Sequence, residues 1–359
     1  MAAHAQRVVA GPKNLRLELV AHVPKLRALA WEGDVLYASR GYELFRARAT
    51  SEGFNWERVA DYRPEWWRKL TSRSALGYRL VRDGFHALAV LPQGNLIAAV
   101  PGAIVTLHAG DAEFLVTHRL RRGRRPLHIT TTPDGRAFWG EYFDNPDRDE
   151  VFIYGSSDAG ITWSVAHAFS KRSIRHVHNI LYDRWENCLW ILTGDYGSEC
   201  QILRASLDFK WFDEVLCGNQ QARAVAAMIR EEGIYFASDT PLEQNHIYFL
   251  GRGGRLQKLA AIPSSSIYAC DNAAGMFFST MVEPSKVNDS RTVALFGSEN
   301  GLRWFQFAGW HKDAWSMKLF QYGNAFLPDG NNSTDFLAVS TIAVLGADLR
   351  TSIWRAVAD

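Results

Sequence analysis

Short runs in which apolar and polar residues alternate occur along the whole chain, each bounded by Gly, Asp, Asn or Ser. Typical runs are YELFRAR, EVFIYGSS, TWSVAHAF and RTVALFGS, which are rich in β-branched and aromatic residues. Alternation with a period of two, closed by turn-forming residues, is typical of β-strands that bury one face. The pattern predicts an all-β protein.

The strands belong to a larger unit that occurs seven times. Each copy begins with a small or apolar residue followed by Arg, His or Tyr, then a strand, a turn and a second strand. The copies read LRALAWEGDVLYAS, FHALAVLPQGNLIAAV, LHITTTPDGRAFWGEY, VHNILYDRWENCLWILTGD, ARAVAAMIREEGIYFASD, IYACDNAAGMFFSTM and QYGNAFLPDGNNSTDFLAVST. Their spacing of roughly 40 to 60 residues is that of a four-stranded propeller blade. We therefore expect a seven-bladed β-propeller that forms a single domain over residues 1–359.

The seventh copy has only three strands before the chain ends in RTSIWRAVAD. The N-terminal run RLELVAHV, residues 16–23, alternates suitably and is predicted to supply the fourth strand of this last blade. Such closure covers two sheet edges that would otherwise be open to pairing with other chains. One long insertion, residues 62–84, links the first two blades and is expected on the face where the innermost strands begin.

The second position of each copy defines a set of side chains that we call the ring residues. They are Arg27, His86, His128, His178, Arg223, Tyr268 and Tyr322. Radial repetition places equivalent positions around one central channel, so these side chains are expected to converge on it. The loops after the second strands should open on the same face. The candidates on these loops are Glu141, Tyr142, Asp195, Asp239 and Glu243.

Composition adds few constraints. Of the 359 residues, 47% are hydrophobic, which is sufficient for a large core, and the formal net charge is +2. A nearly balanced charge gives no indication of a nucleic-acid partner. The balance is broken locally in RLRRGRRP, an arginine-rich loop that indicates an anionic partner.

No segment has the length and apolarity of a transmembrane helix, and the first residues, MAAHAQRVVAGPKN, lack the apolar stretch of a signal peptide. The four cysteines show no CxxC spacing and lie mostly in apolar runs, which is typical of free thiols in a reducing compartment. The expected location is cytoplasmic, or extracellular if a leader has been removed from the sequence.

The segment SSDAGITWS is the sharpest local motif. Ser156, Asp158, Gly160, Thr162 and Trp163 match the pattern S-x-D-x-G-x-T-W, and shortened versions occur as SEGFNW, SLDFKW and SENGLRW. The motif resembles the Asp box of BNR-repeat propellers in the sialidase-like superfamily. Its Ser and Asp side chains are expected to bond turn amides, and its Trp to pack between blades. These residues are therefore expected to be structural, while the resemblance implies a carbohydrate-related function.

The chain lacks the F/Y-R-I-P motif of sialidases, and only two ring residues are arginines, so no sialidase catalytic residue is assigned. In residue type and position the ring is similar to propeller-fold polysaccharide lyases. The resemblance implies β-elimination from a uronate-containing polysaccharide or oligosaccharide. Arginine would stabilise the enolate-like intermediate, while His or Tyr would transfer protons. The predicted catalytic residues are His86, His128, His178, Tyr268 and Tyr322. The predicted substrate-binding residues are Arg27, Arg223, His176, Glu141, Tyr142, Asp195, Asp239 and Glu243.

Three alternatives remain open. A pair of the loop carboxylates could hydrolyse a glycosidic bond. The protein could instead be a non-catalytic propeller that binds a glycan or a protein partner. The leading hypothesis requires no cofactor, although His86, His128 and His178, with His176 two residues along the same strand, could bind a divalent metal.

Overall fold

The structure, a computed structural model, describes residues 15–51 and 53–358. Strands account for 52% of the chain and helices for 7%, which confirms the all-β class. The strands form seven blades around a central channel, as the seven copies predict. In the described residues, no helix is long and apolar enough to cross a bilayer.

The elements follow the predicted order of blades. The N-terminal strand is β1 (Leu15–Pro24). Blade 1 contains β2 (Arg27–Gly33), β3 (Val35–Arg40), β4 (Glu43–Thr50), β5 (Gly53–Phe54) and β6 (Glu57–Asp61), and the insertion that follows contains helices α1 (Trp66–Thr71) and α2 (Ala75–Val81). Blade 2 contains β7 (Ala87–Val90), β8 (Leu96–Val100), β9 (Ala103–Leu107) and β10 (Leu115–Arg119). Blade 3 contains β11 (Thr130–Thr131), β12 (Ala137–Gly140), β13 (Val151–Ser156) and β14 (Ser164–Phe169).

The second half of the ring repeats this order. Blade 4 contains β15 (His176–Asp183), β16 (Cys188–Gly194), β17 (Gln201–Ala205) and β18 (Phe212–Cys217), with a short 3₁₀ helix at Gly197–Glu199. Blade 5 contains a 3₁₀ helix at Gln220–Ala222, then β19 (Ala224–Arg230), β20 (Gly233–Ser238), β21 (His246–Gly251) and β22 (Leu256–Ala261). Blade 6 contains β23 (Ser266–Asn272), β24 (Gly275–Thr280), β25 (Thr292–Ser298) and β26 (Phe305–His311). Helix α3 (Met317–Phe320) precedes β27 (Asn324–Phe326), β28 (Asp329–Asn332), β29 (Phe336–Ile342) and β30 (Arg350–Ala358).

Blade 7 is closed by the N-terminal strand. Its strand order is β1-β30-β29-β27, and β1 pairs antiparallel with β30 from Leu15 opposite Ala358 to Pro24 opposite Arg350. This confirms the predicted closure. Strand β28 instead leaves blade 7 and pairs parallel with β2, the innermost strand of blade 1. The first and last blades are therefore joined twice, through β1 and through β28.

The hydrophobic core is divided among the contacts between neighbouring blades. Seven clusters of buried apolar side chains occur in the described residues, and each lies between one pair of adjacent blades. The cluster between blades 1 and 7, for example, combines Leu36 with Phe336 and Ile353. Every blade is thus stabilised from both sides, because burial of its two faces depends on both neighbours.

The turn between β13 and β14 has the hydrogen bonds predicted for the Asp-box motif. The Asp158 carboxylate accepts from the backbone N–H of Thr162 at 2.9 Å, and the Ser156 hydroxyl accepts from the N–H of Gly160 at 2.9 Å. Trp163 packs with the cluster between blades 2 and 3. Gly160 has φ +83°, and its carbonyl accepts from the Thr106 hydroxyl of blade 2 at 2.7 Å. The motif therefore connects the outer part of blade 3 to blade 2.

The insertion is anchored at α2 by a buried arginine. Arg79 is 1% exposed and forms an ion pair with Asp313. It also donates to the carbonyl of Phe320 at 2.9 Å. A buried guanidinium needs such partners, because an unpaired charge would be costly to desolvate. The contacts of Arg79 with Asp313 and Phe320 hold the helices of the insertion against the segment that links blades 6 and 7.

We predict that Gly160→Ala destabilises the fold more than Gly102→Ala does. The two glycines have nearly the same φ, +83° and +85°, so both alanines incur a left-handed backbone cost of about 1–2 kcal/mol. A Cβ at Gly160 would also lie 2.6 Å from Ile97, whereas nothing lies within 4 Å of one at Gly102. Overpacking against the buried Ile97 adds about 1–3 kcal/mol. Urea unfolding of both variants measures the difference, and equal losses would contradict an interblade role for Gly160.

Candidate functional site

The innermost strands all begin on one face of the propeller, which we call the ring face. On this face Arg27 of blade 1 contacts His86 of blade 2: one guanidinium nitrogen lies 3.3 Å from Nδ1 of His86, and another donates to its carbonyl at 3.1 Å. The Arg27 guanidinium also lies 4.0 Å above the ring centroid of Phe326. Two ring residues from adjacent blades are thus brought into direct contact.

His86 is held as a neutral donor and acceptor. Its Nε2 lies 2.7 Å from the carbonyl of Arg82, which can only accept, so Nε2 bears the proton and Nδ1 accepts from Arg27. Burial, followed by the nearby charges of Arg125 and Arg27, lowers the pKa of His86 well below its usual value. The arrangement disfavours His86 as a proton acceptor, because the added proton would face a guanidinium.

His128 and Tyr268 lie deeper in the channel. Nδ1 of His128 lies 3.0 Å from the carboxylate of Asp329, a residue that follows the first strand of blade 7. The rings of His128 and Tyr268 are 6.5 Å apart, and Tyr268 in turn packs on Phe326. Burial raises the pKa of the Tyr268 hydroxyl. A cavity of about 540 Å³ occupies this part of the channel, with His128 and Asp329 in its wall.

His176, His178 and Asp195 form a separate group, which we call the His–Asp cluster. The Nε2 atoms of the two histidines are 3.1 Å apart, and each lies 3.2 Å from Oδ1 of Asp195. Both histidines come from β15, and Asp195 directly follows β16, so one hairpin of blade 4 supplies all three side chains. All three residues are less than 9% exposed.

Charged side chains surround the His–Asp cluster. Arg175 lies 3.4 Å from Oδ2 of Asp195, and Arg223 lies 3.5 Å from Oδ1 and 3.6 Å from the carboxylate of Asp239. Burial opposes ionisation of Asp195, but its close contacts with the two histidines and the charge of Arg223 hold its pKa well below the usual range. Burial raises the pKa of Asp239 to about 7 against the effect of Arg223.

Tyr142 covers one side of the same cluster, with its ring 4.3 Å from that of His176. Burial raises the pKa of its hydroxyl, and the carboxylates of Asp239 and Asp195 add to the shift. The structure therefore brings together six of the predicted site residues. They are Tyr142, His176, His178, Asp195, Arg223 and Asp239.

Three other predicted residues lie outside these groups. Tyr322 is 37% exposed on the ring face. Glu243 is exposed, and among residues 15–51 and 53–358 it has no ion-pair partner. Glu141 is buried, forms an ion pair with Arg122 and accepts from the backbone N–H of Phe152 at 3.0 Å. The lone pairs of Glu141 are thus engaged inside blade 3.

The three histidines considered as an alternative metal site have different partners. His86 contacts Arg27 and the Arg82 carbonyl, His128 contacts Asp329, and His178 contacts His176 and Asp195. Within the part of the chain that the structure describes, two groups of three potential ligands converge, and neither contains His86 or His128. They are the His–Asp cluster and the group of Asp183, Glu186 and Cys188.

The ring face also contains a cavity of about 530 Å³ between blades 1 and 7. The segment from Asp61 to Tyr78 borders it, including Trp66, whose side chain is 76% exposed. Its lining is strongly cationic, with two carboxylates, Glu43 and Asp61. The cationic residues in the lining are Lys25, Arg27, Arg40, Arg58, Arg63, Lys69, Arg73 and Arg350. We call this space the ring-face cavity.

Several important neighbours were not identified as site residues from the sequence. Arg125 belongs to the arginine-rich loop RLRRGRRP, yet burial and the charges of Arg27 and Arg82 lower its pKa to about 10. Arg175 immediately precedes His176 in RHVH. A positive charge next to two histidines could have marked Arg175 as a site residue. Asp329 is the first residue of β28, and its D-G sequence gave no indication that it would contact His128.

No family model matches this chain, and no curated protein matches it in sequence. Solved structures resemble it over nearly their full length. A chain of a mitotic checkpoint complex has a TM-score of 0.55 and 10% identity, covering 99% of this chain and 98% of that one. The β-propeller domain of Myceliophteria thermophila Cps50 (Swd1) has a TM-score of 0.54 and 10% identity, covering 98% and 99%.

The WD40 β-propeller domain of Doa1 is also similar, with a TM-score of 0.53 and 11% identity, covering 95% of this chain and 96% of that one. At such low identity these similarities support the fold alone. They support a seven-bladed propeller, and none of these three structures is described as an Asp-box, BNR-repeat or sialidase protein. The Asp-box resemblance therefore rests on the motif and its turn geometry.

Proposed function

We propose that this protein is a binding propeller for an anionic oligosaccharide of the uronate class, and that the ring-face cavity is the binding site. The main support is the charge of the cavity, in which eight cationic side chains face two carboxylates. A concave surface with one dominant sign of charge concentrates ligands of the opposite sign. Arginine in particular binds carboxylates through two parallel hydrogen bonds.

Most of these cations have no carboxylate partner within the protein. Arg58 pairs with Asp61 at 3.2 Å, and Arg63 pairs with Glu113 at 3.0 Å. Within residues 15–51 and 53–358, the other six cations of the lining form no ion pair. The Nε groups of Arg27 and Arg350 are also buried without a hydrogen-bond partner. Carboxylates of a ligand would supply counter-ions for the cations of the lining that lack one.

The shape of the cavity favours a saccharide over an extended acidic peptide. A volume of about 530 Å³ is in the range of pockets that enclose small ligands. Trp66 is exposed at its border, and Tyr42, Tyr62 and Tyr78 also line it. Aromatic faces of this kind pack against the apolar faces of sugar rings, while the arginines and lysines bind the carboxylates. An acidic protein segment is the competing ligand.

Binding without cleavage is favoured over β-elimination or hydrolysis at this cavity. None of its lining residues is a histidine, and of the seven ring residues only Arg27 contributes to it. The histidines predicted to transfer protons lie in the channel and in the His–Asp cluster. An acid or base must be within hydrogen-bond reach of the proton that it transfers, so the cavity lacks a histidine acid–base pair.

We expect the double variant Lys69→Ser, Arg73→Ser to bind an oligogalacturonate at least tenfold more weakly than the wild type. Each lost charge-assisted hydrogen bond is worth about 1.5–3 kcal/mol, and 1.4 kcal/mol corresponds to a factor of ten. Isothermal titration calorimetry at two salt concentrations measures the loss. The wild-type affinity should itself fall as salt rises, since the contacts are electrostatic.

Arg303→Ser is the matched control, because Arg303 is an exposed arginine on the turn between β25 and β26, at the opposite face. The fully methyl-esterified oligosaccharide is the matched neutral ligand. Equal binding of the neutral and charged forms would overturn the anionic site. Binding of an acidic peptide but not of the oligosaccharide would overturn the saccharide class, and release of cleaved product would overturn a purely binding role.

His86 should remain neutral in the folded protein at mildly acidic pH. Because its pKa is lowered on folding, the unfolded chain takes up a proton near pH 6.5 that the folded chain does not. The folded state therefore loses stability as pH falls below about 6.5, by up to about 1.4 kcal/mol per pH unit. The stability advantage of the wild type over His86→Gln should shrink between about pH 7.5 and pH 5 in urea unfolding. A pH-independent advantage, or an NMR titration of His86 at its ordinary pKa, would refute this.

A further inference from the structure

Three hydrogen-bond acceptors converge in the His–Asp cluster without a donor between them. Nδ1 of His176 lies 3.1 Å from the carbonyl of Phe143, and Nδ1 of His178 lies 2.8 Å from the carbonyl of Ala224. A carbonyl can only accept, so each Nδ1 bears the proton and each Nε2 presents a lone pair. Both lone pairs and the Asp195 carboxylate then face one another at 3.1–3.2 Å.

This arrangement has the dimensions of a metal site. A divalent metal lies ~2.0–2.1 Å from imidazole nitrogen and carboxylate oxygen, so neighbouring ligands are separated by about 2.8–3.0 Å in an octahedral site and about 3.3–3.4 Å in a tetrahedral one. The separations between the two Nε2 atoms and between each of them and Oδ1 of Asp195, 3.1, 3.2 and 3.2 Å, lie between these two values. A cation among the three atoms would convert mutual repulsion into coordination.

The surroundings of the histidines are also those of metal ligands. A metal-binding imidazole usually donates its other N–H to a carbonyl or carboxylate, which fixes its orientation. Here those carbonyls come from the two neighbouring blades, Phe143 from blade 3 and Ala224 from blade 5. Gly194 leaves space for the His178 ring, since a Cβ there would lie 2.3 Å from its Cε1. The ligands are thus positioned by three blades.

We propose that His176, His178 and Asp195 bind a divalent transition metal, through Nε2 of each histidine and a carboxylate oxygen. Two neutral imidazoles and one carboxylate suit Zn²⁺, Fe²⁺, Co²⁺ or Mn²⁺. Three protein ligands leave at least one coordination position for water or a ligand. Because Arg175 and Arg223 lie within 3.5 Å of the Asp195 carboxylate, an anionic ligand fits the remaining position best.

The second group of potential ligands does not have these properties. The Asp183 carboxylate already accepts from the indole N–H of Trp190 at 2.9 Å and from Arg252 at 2.6 Å. Arg252 also forms an ion pair with Glu186 at 3.1 Å. A guanidinium therefore occupies the position from which a cation would have to coordinate both carboxylates.

The competing explanation is a proton shared within the cluster. One protonated histidine would donate from Nε2 to Asp195 and to the other imidazole, and no metal would be needed. The two explanations differ in metal content. This proposal concerns a site in blade 4 and does not depend on oligosaccharide binding in the ring-face cavity.

The test uses the full-length protein without a histidine tag, stripped with a chelator and titrated with Co²⁺ and Zn²⁺. We expect one Co²⁺ per chain, with the visible absorption of a low-symmetry site, and displacement of Co²⁺ by Zn²⁺. Asp195→Asn and His178→Gln should each weaken binding by about a hundredfold or more, since loss of a second-shell partner alone costs 10–100-fold. Bound metal should also raise the unfolding temperature of the wild type.

His128→Gln is the matched control, because His128 is another channel histidine paired with a carboxylate, outside the cluster. It should retain one Co²⁺ per chain with unchanged absorption. Asp195→Asn preserves side-chain shape, and its near-ultraviolet circular dichroism checks that the fold is intact. Absence of stoichiometric binding of Co²⁺, Zn²⁺ or Mn²⁺ to the wild type, or binding that survives both cluster substitutions, would overturn the proposal.

Discussion

The structure depends on closure of the ring between its first and last blades. Strand β1 completes blade 7 by pairing with β30, and β28 pairs with β2 of blade 1. The buried cluster that contains Leu36 and Ile353 seals the same junction. Since the core lies between blades, both apolar faces of each blade are buried only when the ring is complete. Closure thus fixes the positions of all innermost strands and of the side chains that they place in the channel.

The closed ring places repeated positions in different chemical environments. Arg27 and His86 contact each other directly, whereas His178 meets Arg223 only through Asp195. Innermost strands also contain bulges, for example between Val177 and Asn179, where the register with β16 shifts by one residue. A bulge re-aims the side chains around it, so equivalent sequence positions do not project identically. The repeat gives the innermost strands similar backbones, while the neighbours of each ring residue determine its chemistry.

Charge is distributed over the ring face according to which arginines are neutralised. Arg79 is buried and paired with Asp313, and it anchors the insertion. Lys69 and Arg73 belong to the same insertion but line the cavity, and in the described residues neither forms an ion pair. One short segment thus combines a structural cation with cations available to a ligand. The small net charge of the whole chain conceals this local excess.

Much of the fold could be predicted from the sequence because its determinants are local and periodic. Alternating strands, the seven copies, the N-terminal closing strand and the Asp-box turn all depend on residues close together in the chain or on a repeated pattern. His176, His178 and Asp195 could each be selected as candidates, since two histidines alternate on one strand and the aspartate ends the next. Their convergence at 3.1–3.2 Å could not, because it depends on the bulge and on carbonyls from neighbouring blades.

A metal shared by His86, His128 and His178 was an alternative that rested on their equivalent positions alone, and the structure gives these histidines separate partners. The sequence predicted an insertion on the ring face but gave no signal that a cavity would form beside it. Its lining runs from Lys25 to Arg350, and these residues meet only when blades 1 and 7 close with the insertion above them. The sequence by itself therefore determined the alternating strands, the number of blades and the chemistry of individual side chains. Only the tertiary structure decided which of them meet, because contacts between distant parts of the chain form when the ring closes.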